Sequence, residues 1–101
     1  MLYRIHSSTG NTCGLEDYIC FFEIDVDGYF TRHLEINSNG LARRYTRDYP
    51  ADEFGALPAG VWDEAQASKP EVGVIAPITA ALFAAVWART RCDNVPVTRA
   101  D

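Results

Sequence analysis

The sequence predicts an α+β fold: an antiparallel β-meander of three to four strands, with one face covered by a C-terminal α-helix and a short preceding helix. Two patterns predict it. In the first half of the chain, apolar residues alternate with polar ones, as in half-buried strands. Near the end, an alanine-rich segment has apolar residues at helical spacing. It is the only predicted element long enough to cover the meander.

The central hairpin gives the clearest signal. Strands are predicted over Asp17–Asp25 and Tyr29–Ile36, because both segments place apolar residues at alternate positions. Between them, Val26-Asp27-Gly28 suits a three-residue loop with Gly28 in the left-handed conformation.

The loop length also predicts which residues face each other. Ile24 is expected opposite Phe30, and Cys20 opposite Leu34, so that most facing pairs are apolar. After an Asn-Gly turn, a third strand is predicted over Leu41–Arg47, with its odd-numbered residues on the same face as Leu34.

The remaining strand and helices are predicted from local sequence patterns. Leu2–His6 is a candidate fourth strand. Trp62–Ser68 predicts the short helix, which ends before a proline. Ile78–Arg91 predicts the long helix, with Thr79 as its N-cap.

Composition and charge limit the classes of function. The chain has 101 residues, enough for one domain, which we assign to residues 1–92 with a loose tail over 93–101. A net charge of -5 argues against nucleic-acid or anionic-membrane binding, which needs a basic face. No apolar run approaches a transmembrane length. Three unevenly spaced cysteines make no disulfide framework and favour a cytoplasmic location.

Residue spacing shows no catalytic or metal motif. The cysteines and histidines contain neither Cys-x-x-Cys nor His-x-x-x-His, so we predict no metal and no cofactor. Cys20 alternates with apolar residues and is interpreted as a small buried hydrophobe. Cys13 is the only reasonable nucleophile candidate, and alone it does not predict an enzyme.

Two groups of charged residues are candidate binding sites. Arg32, Arg43 and Arg44, with His33, lie on adjacent predicted strands where an anion such as phosphate could bind. Acids interleaved with aromatic residues instead suit a basic protein partner, unless they only keep the surface solvated. The predicted contact residues are Glu23, Asp25, Asp27, Asp52, Glu53, Phe54, Trp62, Asp63 and Glu64.

Part of the chain resembles the signature of a family of small, uncharacterised bacterial proteins, which are similar to the immunity partners of polymorphic and contact-dependent inhibition toxins. The run is Phe22-Glu23-Ile24-Asp25-x-Asp27-Gly28-Tyr29-x-x-Arg32-x-x-Glu35-Ile36-x-x-x-Gly40. Leu57-Pro58, the short helix near Asp63-Glu64 and Phe83-x-x-Val86-Trp87 also fit that layout. The resemblance implies a non-enzymatic antitoxin that binds a cognate toxin domain.

The leading hypothesis is therefore a small acidic immunity protein with a protein toxin as partner and with no nucleic-acid or membrane partner. One alternative is an anion-binding domain or minor enzyme at the arginine cluster. Another is a homo-oligomer that pairs through an exposed strand edge, at Leu2–His6 or Leu41–Arg47.

Overall fold

A computed structural model describes residues 1–7, 18–37, 40–67 and 73–94 of the chain. These residues form a five-stranded antiparallel sheet and two helices, which confirms the α+β class. The elements are β1 (Leu2–Ser7), β2 (Tyr18–Ile24), β3 (Phe30–Asn37), β4 (Ala42–Thr46), α1 (Glu64–Ala67), β5 (Val74–Pro77) and α2 (Ala80–Arg89). The strands lie in the order β4-β3-β2-β1-β5.

A fifth strand extends the sheet beyond the three to four that the sequence predicts. β5 pairs with β1, with Ile75 opposite His6, so β1 lies inside the sheet. Since β5 has only four residues and ends in a proline, its local pattern is too short to identify it. Ser68, the predicted end of the short helix, lies outside the described residues.

The C-terminal helix lies within its predicted limits. Thr79 is the N-cap, as predicted, and its side-chain oxygen accepts a hydrogen bond from Leu82 N at 3.0 Å. Phe83 is buried in a core cluster with Phe21 and Leu34. Among the residues that the structure describes, no helix has the length and apolar content needed to span a bilayer.

The loop of the central hairpin is as predicted. Gly28 has a φ of 91°, in the left-handed region, and its amide donates to the Asp25 carbonyl oxygen at 3.0 Å. Asp25 N donates in turn to Tyr29 O at 2.9 Å, which closes a three-residue loop.

Beyond the loop, a β-bulge changes the register. Ile24 pairs with Phe30, as predicted, but Thr31 has no partner on β2 and Glu23 pairs with Arg32. The Thr31 hydroxyl lies 3.1 Å from the Glu23 backbone oxygen and 2.6 Å from its carboxylate, which holds the bulge in place. Every later pair of β2 and β3 is therefore shifted by one residue from the prediction.

The shift changes which residues share a face of the sheet. Cys20 lies opposite Glu35 and not opposite Leu34. The predicted face of β4 is also wrong, because Tyr45 lies opposite His33 rather than beside Leu34. The first error follows from counting alternate residues through the unpaired Thr31, and the second from the turn after β3, which places Ile36 opposite Ala42 rather than opposite Leu41.

The sheet consequently has two faces with buried residues. The Phe21 face packs against Phe83 of α2, and the Phe22 face packs against Trp62 from the segment after β4. The sheet residues of the two buried apolar clusters are Phe21, Leu34 and Ala42 on the Phe21 face, and Cys20, Phe22 and Ile24 on the Phe22 face.

Residues predicted as a loose tail pair with the outer edge of β4. Ala42 N donates to Asp93 Oδ2 at 2.8 Å, and Arg44 N donates to Asn94 Oδ1 at 2.9 Å. The folded domain thus includes residues 93 and 94, beyond the boundary predicted at 92, and residues 95–101 lie outside the described residues. With β1 internal and these amides of β4 paired, neither strand edge suggested for self-pairing is open.

Candidate functional site

Glu23, a predicted contact residue, is buried and bonded within the protein. Its carboxylate accepts hydrogen bonds from Arg32 at 2.7 and 2.9 Å, and from the Thr31 and Tyr3 hydroxyl groups. The hydrogen bonds, above all those from Arg32, lower the pKa of Glu23 to about 2. They outweigh burial, which acts to raise the pKa. Glu23 is therefore a core residue whose carboxylate is bonded within the domain.

Asp25 and Asp27 share the hairpin turn but differ in role. Asp25 Oδ1 accepts hydrogen bonds from the amides of Asp27 and Tyr29 at 3.0 and 2.9 Å, while its other oxygen pairs with Arg47. The Tyr29 amide is the main cause of the lowered pKa of Asp25. Asp27 is exposed, so it is the carboxylate of this turn that a partner can reach.

Asp52 organises the segment between β4 and α1. Its Oδ1 accepts hydrogen bonds from the Tyr45 hydroxyl and the Phe54 amide, and its Oδ2 accepts from Tyr49 and Asn94. Partial burial acts to raise its pKa, but these hydrogen bonds lower the pKa of Asp52 to about 2. Asp52 therefore fixes the local chain.

Trp62 and Glu64 connect the segment before α1 to the sheet. Glu64 forms a salt bridge with Arg4 at 3.0 Å and accepts a hydrogen bond from the Trp62 indole at 3.0 Å. The Trp62 ring lies 5.9 Å from that of Phe22 and 5.8 Å from that of Phe30. Both predicted contact residues thus have intramolecular partners.

Glu53 and Phe54 are exposed on the same segment. Phe54 is 56% exposed, and the Arg43 guanidinium lies over its ring at 4.5 Å from the centroid. This cation–π contact holds the ring in place while leaving more than half of it accessible.

The hairpin turn presents exposed apolar side chains that the sequence did not single out. Val26, Tyr29 and Val61 are 86%, 49% and 61% exposed. Tyr29 and Val61 form an isolated β-bridge, and Trp62 N donates to Gly28 O at 2.7 Å, so the two segments lie together. We define the hairpin surface as Val26, Asp27, Tyr29, Val61 and Asp63, all of which are exposed.

The arginine cluster of the alternative hypothesis is divided between the two faces. Arg32 and Arg44 lie on the Phe21 face, with guanidinium groups 5.0 and 4.2 Å from the Trp87 ring centroid. Arg43 and the buried His33 lie on the Phe22 face. The four side chains therefore do not converge on one anion site.

On the Phe22 face, the structure brings together three residues that the sequence analysis did not group. Cys20 lies opposite Glu35, and His33 lies two residues before Glu35 on the same strand. Their donor atoms, a sulfur, an imidazole nitrogen and a carboxylate oxygen, all lie within 4.8 Å of one another. In the predicted register, Glu35 would point to the face opposite Cys20, so the bulge creates this cluster.

His33 is the unsatisfied member of the cluster. Both ring nitrogens are buried and have no hydrogen-bond partner among the described residues. Leaving a buried polar group unpaired costs about 1–3 kcal/mol. Burial lowers the pKa of His33 to about 4, while the nearby Ala56 backbone acts in the opposite direction. The imidazole is therefore neutral at pH 7 and has a lone pair available.

Cys20 is poorly suited to nucleophilic catalysis. It is 4% exposed, and desolvation, followed by the charge of Glu35, raises the pKa of its thiol. A thiol that is protonated and inaccessible does not attack a substrate. Cys13, the nucleophile candidate from the sequence, lies outside the described residues.

Comparisons with protein-family models, curated proteins and solved structures found no match. Function is therefore inferred from the hairpin surface, the charge of the chain and the geometry of the cluster on the Phe22 face.

Proposed function

We propose that this protein is a small acidic immunity protein that binds a cognate bacterial toxin domain in the cytoplasm and blocks its active site without catalysing a reaction. The observation that carries the proposal is the hairpin surface, where exposed apolar groups lie beside two exposed carboxylates. Such patches are typical of protein-binding surfaces. The resemblance of residues 17–90 to small bacterial proteins that are similar to immunity partners supports the same class.

The mechanism combines electrostatic attraction with steric block. A net charge of -5 attracts a basic toxin domain and speeds its association. Val26 and Tyr29 then supply apolar contacts, while Asp27 and Asp63 pair with arginine or lysine side chains. Glu53 and Phe54 extend the contact.

In this proposal the buried and bonded acids support the binding surface from within. Glu23, Asp25, Asp52 and Glu64 hold the hairpin and the segment after β4 in place. The C-terminal helix covers the Phe21 face. A preorganised surface loses less conformational entropy on binding, which favours a tight complex.

Protection in cells tests the function. The neighbouring upstream reading frame is expressed in a host bacterium with and without this protein, and the two products are then co-purified. We expect growth arrest that is relieved by this chain, and a complex that elutes as one species. Absence of both toxicity and complex would contradict the immunity function.

Matched substitutions test the surface. Asp27→Lys and Asp48→Lys change the charge equally at two exposed sites, and Val61→Asp and Val74→Asp alter valines that are 61% and 58% exposed. The first member of each pair should raise the Kd about tenfold or more, a loss of about 1.4 kcal/mol, and the second should change it less. Equal effects within both pairs would mean that the hairpin surface is not the contact.

A further inference from the structure

We propose that Cys20, His33 and Glu35 form a binding site for one divalent transition-metal ion, with Zn²⁺ as the best match. The donor atoms of the three residues lie within 4.8 Å of one another on the Phe22 face. The site is separate from the hairpin surface, and this inference does not depend on the immunity function.

The types of donor select the class of metal. Thiolate, imidazole and carboxylate are the ligands that Zn²⁺ takes in proteins, whereas Mg²⁺ and Ca²⁺ prefer oxygen ligands alone. Three protein ligands leave one position of a tetrahedral ion for water. Glu35 is only partly buried, which gives the ion a route from solvent.

The geometry requires only a small adjustment. Zinc bonds of about 2.0–2.3 Å at tetrahedral angles place donor atoms about 3.5 Å apart. The separations of up to 4.8 Å must therefore shorten by about 1 Å, which rotation of the side chains can supply. No backbone movement is needed, because pairing of β2 with β3 already places all three side chains on one face.

A second observation points to a ligand at this position. The His33 ring is buried, with the residue 8% exposed, and its two nitrogens lack a hydrogen-bond partner among the described residues. Native proteins satisfy most buried polar groups, so an unpaired imidazole beside a thiol and a carboxylate calls for a missing partner. A metal ion is that partner, since a neutral imidazole donates its lone pair to it directly.

Binding is balanced by the loss of one proton. The Cys20 S–H bond breaks, a sulfur–metal bond forms, and the proton passes to solvent. His33 contributes a lone pair, and the Glu35 carboxylate contributes an oxygen. No oxidant or reductant takes part.

Cobalt is the probe for this site. The full chain carrying Cys13→Ser is titrated with Co²⁺, whose charge-transfer absorption reveals a thiolate ligand, and Co²⁺ is then displaced with Zn²⁺. We expect one equivalent of metal, a thiolate band, and release of about one proton per Zn²⁺ in calorimetry across buffers.

The variants separate this site from unspecific binding. Cys20→Ser should remove the thiolate band. Glu35→Gln should weaken Zn²⁺ binding about a hundredfold or more, since even residues that only support a metal ligand often matter 10–100-fold. Cys92→Ser removes the other buried cysteine and should leave binding unchanged. Circular dichroism checks that each variant is folded.

Protection of Cys20 from alkylation gives a second readout that needs no ligand variant. In the chain carrying Cys13→Ser and Cys92→Ser, the buried Cys20 can react with iodoacetamide only during openings of the fold that expose its thiol. The slow reaction is followed over hours, and Zn²⁺ should slow it further. The proposal would be overturned if the chain failed to bind metal, bound it without a thiolate band, or showed unchanged alkylation of Cys20. Equal affinity in the Cys20→Ser, Glu35→Gln and Cys92→Ser variants would overturn it as well.

Discussion

The Glu23–Arg32 ion pair couples charge to the packing of the domain. Arg32 Nη2 lies 2.7 Å from Glu23 Oε2, and the same guanidinium lies over the rings of Phe83 and Trp87. A carboxylate held by fixed donors is stabilised in its ionised form. Protonation of Glu23 therefore weakens a contact that extends from β2 to α2.

The expected effect of Glu23→Gln depends on pH. The pKa of Glu23 is lowered from 4.5 to about 2, so its stabilisation is present above pH 4.5 and is lost as the pH falls toward 2. At neutral pH, the substitution should lower the free energy of unfolding by about 3 kcal/mol. The difference from wild type should shrink between these two pH values, as measured by urea denaturation.

The exposed Glu53 provides the control, because Glu53→Gln removes the same charge from the surface. It should change the free energy of unfolding by less than about 0.5 kcal/mol at any pH in the range. If the Glu23→Gln difference stayed constant down to the lowest pH, the charge of the carboxylate would not be the source of the stabilisation.

At the scale of elements, local signals identified the segments, and distant contacts decided how they fit together. Gly28 and the N-cap Thr79 were predicted correctly because a turn and a helix start depend on neighbouring residues. β5 was missed because its partner, β1, lies at the other end of the chain. The bulge was missed because it rests on a side-chain bond from Thr31 to Glu23.

The candidate sites show the same limit. Asp27 and Asp63 were predicted as contact residues from their charge, and both are exposed. Val26 and Val61 are exposed as well but were not predicted, because single apolar residues in loops form no pattern. Grouping Cys20 with His33 and Glu35 needs the true register, which alternation alone does not provide.

The docking of β5 on β1 depends on Gly73. This residue has a φ of 138°, and a Cβ there would overlap the Ser7 carbonyl oxygen and lie 2.6 Å from His6 Nε2. Gly73→Ala should therefore lower the free energy of unfolding by about 3 kcal/mol, from backbone strain and overpacking together. Thermal and urea unfolding measure the loss.

Gly60→Ala is the matched control for that substitution. Gly60 also has a positive φ, of 86°, but nothing lies within 4 Å of the position of its Cβ. It should cost only about 1–2 kcal/mol, from backbone strain. An equal cost at both positions would show that close packing of Gly73 against β1 contributes nothing.

At the scale of the whole molecule, the chain protects both edges of its sheet. β5 ends in Pro77, which has no amide hydrogen to donate. On the other edge, the side chains of Asp93 and Asn94 accept hydrogen bonds from the amides of Ala42 and Arg44. On the same strand, Thr46 N donates to Tyr49 O at 3.1 Å. A proline on one outer strand and occupied amides on the other both disfavour pairing with a second sheet.

Removing the two side chains from the β4 edge should promote self-association. The variant with Asp93→Ala and Asn94→Ala leaves two amides unpaired on an outer strand, which favours strand-to-strand dimers. Sedimentation velocity should show a larger average mass than wild type at equal concentration. Arg91→Ala, at a neighbouring exposed position, should match wild type. A double variant that also sedimented like wild type would mean that these side chains do not guard the edge.

The unpaired Thr31 also bears on how such a chain can change through evolution. Because this residue has no partner on β2, its loss would leave Ile24 opposite Phe30 and Glu23 opposite Arg32. A lineage could therefore lose this codon without exchanging the contents of the two faces, at the cost of the contacts that the Thr31 hydroxyl makes with Glu23. Most other single-residue insertions within the hairpin strands would move side chains from one packed face to the other, so the bulge is where length variation in this hairpin is most easily absorbed.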